Sequence, residues 1–319
     1  MTGRYRILVS EQIADSGVAL LRERFDVDLG MDWSPEELRD RIGDYDGILI
    51  RSATRLTADI IAHAGNLKVI GRAGIGIDNV DVDAATKRGI VVANAPQSNI
   101  IAAAEHTVAL MLALARNVPQ AHGSLTAGRW ERSKFGGVEV YEKTLGILGF
   151  GRIGRRVARR ALGFDMTVLY HDTQPADAAA ERSCNAAFVS MDELLARADI
   201  LTIHIPYAPA THHLVSSREL GKMKPGAILI HASRGGVVDD AALVEALKSG
   251  RVAGAGLDVF ENEPNLNPAL LAMKNVVLTP HIASSSEATR HAMAMLAAQN
   301  LVAALTTGTP PNLLNPKQV

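Results

Sequence analysis

Short apolar runs and amphipathic stretches alternate along almost the whole chain. In the first hundred residues, apolar runs predict strands over 6–9, 47–51, 68–70 and 90–92. Between them a 3.6-residue period predicts helices over 16–24, 35–42, 57–64 and 82–88. An apolar stretch over 100–117 reads as one long helix, followed by a more polar excursion over 123–141. The alternation then resumes. Strands are expected over 145–148, 166–170, 187–189, 200–205, 227–232, 252–257 and 276–279. Helices are expected over 155–161, 192–198, 239–249 and 286–306. Strands alternating with helices imply parallel sheets, so the fold class is α/β, doubly wound, with the helix over 100–117 marking a crossing between two domains.

Composition narrows the class. The chain has 319 residues, enough for two domains of ordinary size. Apolar residues make up 47% and aromatics only 4%, so the core must be Ala, Val, Ile and Leu, which suits parallel strands covered by helices. A net charge of −1 leaves no electrostatic footprint for nucleic acid or an anionic membrane surface. The single Cys184 excludes an internal disulfide and a cysteine-rich zinc site. No signal peptide is read in the first ten residues and no apolar run is long enough to span a bilayer, so a cytoplasmic enzyme is expected.

The most informative stretch runs from Thr144 to Asp172. It reads strand, Gly149-Phe-Gly151-Arg-Ile-Gly154, helix, second strand, acid, which is the order of a dinucleotide-binding βαβ unit. Gly149 permits the sharp turn, Gly151 lets a pyrophosphate approach bare backbone, and Gly154 lets helix and strand pack closely. The helix start supplies free N–H groups and a positive dipole end. Asp172 suits both ribose hydroxyls and repels a 2′-phosphate, which favours NAD over NADP. A second glycine cluster, Gly71 to Gly76, has Asn79 where a third glycine would stand, and reads as a ligand-facing loop.

Arg234, Asp258 and His281 each follow an apolar strand, and Glu263 lies in the loop after Asp258. Open α/β sheets bind ligands at these strand ends. An Arg to hold a carboxylate, a His to move a proton and a Glu to stabilise the charged imidazole suit hydride transfer with a 2-keto acid. Each residue alone also fits an ordinary loop; the case rests on all of them falling at the ends of one sheet. His212 and His213 are adjacent, are expected to point apart, and make a poor metal pair. His106 reads as a core or hinge residue, and His204 as an adenine-pocket residue or a strand end.

With these residues in place, nearly the whole chain resembles the D-isomer-specific 2-hydroxyacid dehydrogenases. The resemblance rests on the glycine loop with Asp172, on Ala232-Ser-Arg-Gly-Gly-Val-Val-Asp239, on Gly256-Leu-Asp-Val-Phe-Glu-Asn-Glu-Pro264, and on Leu278-Thr-Pro-His-Ile282. It implies a discontinuous substrate domain, 1–98 with 287–319, around a nested NAD-binding domain, 99–286. It implies catalysis by Arg234, Glu263 and His281. Cofactor contacts are expected from Gly149, Gly151, Arg152, Ile153, Gly154, Asp172, Ile205, Pro206, Ala232, Asp258 and His281, with Asp258 holding the nicotinamide carboxamide. Substrate contacts are expected from Arg51, Arg72, Gly74, Ile75, Gly76 and Arg234, and no metal is expected. Glu263 argues against formate as substrate. Arg51 and Arg72, with Gly128-Arg-Trp-Glu-Arg132, resemble the branch of the family acting on 3-phosphoglycerate; the Pro-rich tail over 310–316 resembles glyoxylate/hydroxypyruvate reductases instead. His231 replaces the Asn usual before Ala-Ser-Arg, which bears on the nicotinamide pocket. The resemblance further implies a small 2-hydroxy or 2-keto acid as substrate, a homodimer formed through the region after the crossing helix, and domain closure at 94–99 and 284–287 gating the reaction. An NAD-sensing partner-binding protein is the alternative of another class.

Overall fold

The structure, a computed structural model, describes residues 4–315. The chain's first residues and Pro316 of the tail lie outside the described residues. The chain divides into two compact units, Met1–Asn99 with Ser284–Val319, and Ile100–Ala283.

Unit 1 carries five parallel strands: β1 (Arg6–Val9), β2 (Asp26–Leu29), β3 (Gly47–Ile50), β4 (Val69–Arg72) and β5 (Val91–Ala93). Their order is β2-β1-β3-β4-β5, the flavodoxin-like doubly wound order, whose switch point lies between β1 and β3. Side chains alternate between two cores. Ile7, Val9, Leu49 and Val69 face one layer of helices, and Leu8, Ile48, Ile50 and Ile70 face the other. The first layer includes the helix Glu287–Thr306, which returns from the chain's end to bury Met293, Ala294, Ala297, Ala298 and Leu301.

Unit 2 carries seven parallel strands: β6 (Thr144–Leu148), β7 (Thr167–His171), β8 (Ala186–Phe188), β9 (Ile200–Ile203), β10 (Ala227–His231), β11 (Val252–Leu257) and β12 (Val276–Leu278). The order β12-β11-β10-β9-β6-β7-β8 is the dinucleotide-binding order with one added edge strand, and its switch point lies between β6 and β9. The helices Ile100–Ala115 and Arg152–Ala161 pack together over one face, where Leu110, Leu114, Val157 and Ala158 share a core with Leu145, Ile147 and Ile230.

Some expectations change. The helix expected over 100–117 stops at Ala115; Asn117 turns left-handed at φ 53° and a second helix, Val118–Thr126, starts with Pro119 in its first turn. β2 and the helices Ala178–Cys184 and Ser217–Lys222 had no expected counterpart. Among the described residues no single helix is long and apolar enough to cross a membrane.

Candidate active site

The glycine loop links β6 to the helix Arg152–Ala161. Gly149 has φ +95°, and a Cβ there would lie 2.7 Å from the Ile205 side chain, so the turn and the contact both demand glycine. A Cβ at Gly154 would sit 2.3 Å from the Gly149 carbonyl oxygen. Gly151 differs: a Cβ there would meet no protein atom. It is also the N-cap of the helix and supplies no side-chain cap, which leaves the first N–H groups pointing at open space. That cradle fits a pyrophosphate. Asp172, after β7, accepts the Phe150 N–H at 2.8 Å and its neighbour's Thr173 N–H at 2.7 Å. The Thr173 hydroxyl also reaches Oδ1 at 3.4 Å, and Oδ2 keeps a lone pair for a ribose hydroxyl. Arg152 is exposed and Ile153 half-buried at the helix start. Ile205 is half-buried and Pro206 exposed after β9, and Ala232 is half-buried after β10.

The loops after β10, β11 and β12 carry the other candidates. His281 follows β12 with its backbone at φ +51°. Its Nδ1 lies 2.7 Å from Glu263 Oε2, while Glu263 Oε1 accepts the Phe260 N–H at 2.9 Å. Burial pushes the Glu263 carboxyl up, but the His281 hydrogen bond and charge, with the Phe260 N–H, pull it below its ordinary value. An ionised carboxylate only accepts, so His281 Nδ1 carries a proton and Nε2 is the nitrogen left for a ligand. Arg234 is half-buried after β10, with one guanidinium nitrogen 2.8 Å from the Ser233 carbonyl.

Asp258 is fully buried. It accepts from Thr279 Oγ1 at 2.6 Å and from the N–H groups of Ile282 and Ala283, each at 2.8 Å. His106, from the helix Ile100–Ala115, places Nε2 3.0 Å from Thr279 Oγ1 and 3.4 Å from Asp258. Burial raises the Asp258 carboxyl, but these donors outweigh it and hold it below the usual range. The residue expected to hold the nicotinamide carboxamide thus also pins both sides of His281. His106, expected as a core or hinge residue, thus belongs to the site, as does Thr279, which no sequence pattern marks; a polar residue on an apolar helix is the available signal.

His231 is 2% exposed, and its Nε2 donates to the Arg234 carbonyl at 2.9 Å. Its ring turns inward and fixes the loop that carries Arg234. Burial pulls its imidazole down to about 4, against the opposing pull of that carbonyl, Glu263 and Asp258. His204, hydrogen-bonded to Thr202 at 2.9 Å, is pulled by burial and by His231 to about 3. His212 and His213 do not point apart: their rings stack at 3.9 Å. His213 pairs with Glu261 and stands 3.8 Å from Asp239, and the Glu261 hydrogen bond raises its pKa.

The substrate-side candidates lie in unit 1, after β3 and β4. Arg51 is half-buried. Its loop is gripped from both sides: Glu11 accepts the N–H groups of Arg51, Ala53 and Thr54 at 2.8, 3.1 and 2.8 Å. Asn79 donates to the carbonyls of Arg51 and Thr54 at 2.8 and 2.6 Å. Neither Glu11 nor this role of Asn79 was read from the sequence. Arg72 folds back over Gly74, where a Cβ would lie 1.9 Å from its guanidinium, and its Nε reaches Asn79 at 3.4 Å. The Ile75 carbonyl accepts from Asn94 at 2.6 Å, and Gly76 is half-buried beside it.

Known proteins resemble this chain over most of its length. The profile described as D-isomer specific 2-hydroxyacid dehydrogenase, NAD binding domain, matches residues 108–283. D-3-phosphoglycerate dehydrogenase 2, chloroplastic, of Arabidopsis thaliana is 46% identical over 303 residues, covering 94% of this chain and 48% of that protein. D-3-phosphoglycerate dehydrogenase of Methanocaldococcus jannaschii is 42% identical over 310 residues, covering 97% and 59%. The chain thus spans about half the length of the curated relatives it matches. The crystal structure of a glyoxylate reductase from Paecilomyes thermophila superposes with a TM-score of 0.90 at 32% identity, covering 100% of both chains. On its glycine loop, its sheet orders and these matches, the chain belongs to the D-isomer specific 2-hydroxyacid dehydrogenase family.

Proposed function

We propose that this chain interconverts a D-2-hydroxy acid and its 2-keto acid with NAD, and that the acid is 3-phosphoglycerate. The observation that carries the chemistry is the 2.7 Å contact between His281 and an ionised Glu263. Gly151, the open helix N-terminus and Asp172 would hold the cofactor, and a carboxylate at 172 disfavours a 2′-phosphate. NAD, when bound, supplies the hydride acceptor of the oxidative direction. His281 Nε2 takes the hydroxyl proton in that direction and returns it in reduction, and Glu263 stabilises the imidazolium. Arg234 holds the substrate carboxylate. His106, Thr279 and Asp258 hold the backbone on which His281 stands.

The choice of 3-phosphoglycerate is supported by the names of the relatives above 40% identity and by Arg51 on its braced loop. A second reading, reduction of glyoxylate or hydroxypyruvate, is supported by the full-length match to a glyoxylate reductase. Reduction of 3-phosphohydroxypyruvate, hydroxypyruvate and glyoxylate, followed by NADH absorbance, separates them. The proposal expects the highest kcat/KM for the phosphorylated acid. NADH binding with negligible turnover on all three would favour an NAD-sensing protein instead.

We also propose a homodimer formed through residues 118–141. Val118, Leu125, Trp130, Val138 and Tyr141 are each at least 55% exposed there. Trp130→Glu is expected to shift the mass in light scattering from dimer to monomer; a wild-type monomer would refute this.

A further inference from the structure

The loop over 206–212 leaves β9 at the switch point of the unit 2 sheet. It follows Ile205, whose side chain stands 2.7 Å from where a Cβ at Gly149 would lie. Most of its residues are exposed. Thr211 closes the loop on itself: its hydroxyl donates to the Pro206 carbonyl and accepts the Ala208 N–H, each at 2.8 Å. The ties to neighbouring loops stand at its end. The His213 N–H donates to the Gly236 carbonyl at 2.8 Å, and the imidazole Nε2 donates to Glu261. Nδ1 lies 3.8 Å from Asp239 Oδ2. His212 stacks on that ring at 3.9 Å. Tyr207, edge-on to His212, packs over Gly236, where a Cβ would lie 2.9 Å from its ring.

The loops that receive these contacts pack tightly on each other. A Cβ at Gly235 would lie 1.7 Å from the Phe260 carbonyl oxygen, so the loop after β10 lies directly against the loop after β11. The Glu261 N–H donates to buried Asp240 at 3.2 Å, and Asp239 caps the helix Asp240–Lys248 by accepting the Ala242 N–H at 3.0 Å. Asp239, Asp240 and Glu261 thus face one imidazole, with His212 stacked against it. Each ring nitrogen faces a different acid, which suits an imidazolium attracted from both sides; a metal ion would have to bind through one nitrogen and reach both acids from there. The Glu261 hydrogen bond raises the His213 pKa above its ordinary value, with the charges of Glu261, Asp239 and Asp240 adding to it against the pull of burial. Asp240 is itself pushed up to about 6 by burial, so its charge joins the others above that pH.

We infer that His213, as an imidazolium, latches the loop over 206–212 onto the loops after β10 and β11, and that it is a positioning residue for coenzyme binding. The coenzyme side rests on the dehydrogenase reading, through the contacts expected from Ile205 and Pro206; the latch rests on contacts within unit 2 alone. The imidazolium is present below its raised pKa and is lost as pH climbs through it, so the loop is held at low pH and loosened at high pH. Holding a binding loop in place lowers the ordering cost of binding, so coenzyme affinity follows the same titration.

The test uses wild type, His213→Gln, His213→Lys and Glu261→Gln in the full chain. Imidazole NMR gives the His213 pKa, amide hydrogen exchange gives the protection of residues 211–213, and NADH fluorescence titration between pH 6 and 9 gives Kd. His213 should titrate above its ordinary value in wild type, and Glu261→Gln should lower that midpoint. Wild-type Kd for NADH should rise about fivefold as pH climbs through the midpoint, the scale of one partly exposed ion pair. His213→Gln should show the weak, high-pH Kd throughout and lose amide protection, whereas His213→Lys, which keeps the charge, should stay tight beyond the wild-type midpoint. A wild-type His213 titrating at or below its ordinary value would overturn the inference. So would a pH dependence of Kd that survives in His213→Gln, or a loss in that variant confined to kcat. Amide protection that depends on His213 in a wild type that binds no NADH would keep the latch and refute the dehydrogenase reading.

Discussion

Glu263 is partly buried yet ionised, because His281 and the Phe260 N–H together outweigh the cost of desolvation. The same hydrogen bond fixes which imidazole nitrogen is presented. His281→Ala is therefore expected to lower kcat by about 10²–10⁴-fold, the range for removing a general acid–base group, while NADH affinity by fluorescence titration changes little. Glu263→Gln keeps a group that can accept from Phe260 but removes the charge. It should forfeit part of that factor in kcat, since the imidazolium loses its counter-ion, with NADH affinity retained. An unchanged kcat would count against the pairing. At this scale the sequence revealed residue types but not their partners. Arg234 and His281 were legible because each follows an apolar run, and Glu263 because it lies in the loop after Asp258. His231, one residue inside its strand, looked like a change in the pocket lining; its contact with the Arg234 carbonyl depends on which way the ring turns, and no local pattern encodes that.

Strand ends and the loops after them carry nearly all the candidate chemistry, and those loops are built from side chains distant in sequence. Asp258 on one loop captures the N–H groups of Ile282 and Ala283 on the next, with Thr279 and His106 completing the clamp. Thr279→Val keeps the shape and removes the hydroxyl. It leaves Asp258 one donor short and leaves His106 only its 3.4 Å contact with Asp258, at a cost of about 1–3 kcal/mol for an unsatisfied buried group. The expected result is a lower Tm and a lower kcat with NADH binding retained. Equal loss of NADH affinity would instead give Asp258 its main role at the cofactor. Elements with strong periodicity were legible to within a few residues, as in β1 and β11. β2 was not, because Asp26-Val-Asp-Leu29 is an edge strand with little burial and too few apolar residues to register. The break after Ala115 was hidden in a run of apolar residues; only Asn117 and Pro119 mark it.

Two imidazoles beside the candidate site, buried His231 and half-buried His204, stay neutral, and this makes stability depend on pH. His231 titrates near 4 when folded against about 6.5 when unfolded, and His204 near 3. Below pH 6.5 the unfolded chain binds protons that the folded chain refuses. Stability is therefore full above pH 6.5 and declines as pH falls, by up to about 3 kcal/mol from His231 alone by pH 4. Denaturant unfolding of wild type and His231→Asn between pH 7 and 4 checks this; the variant should show the shallower decline. The parallel α/β class was legible from alternation alone, whereas the packing of the returning helix Glu287–Thr306 on the sheet of unit 1 was implied only by the family resemblance, since no local pattern pairs segments so distant in sequence.

That helix also dictates an order of events during synthesis. The sheet of unit 1 is translated first, but one of its two faces is covered in part by Met293, Ala294, Ala297, Ala298 and Leu301. Those residues leave the ribosome only after all of Ile100–Ala283 has been made. The nascent sheet keeps part of that face uncovered, beside the Val18 and Leu21 it already packs against, until Glu287–Thr306 has been made.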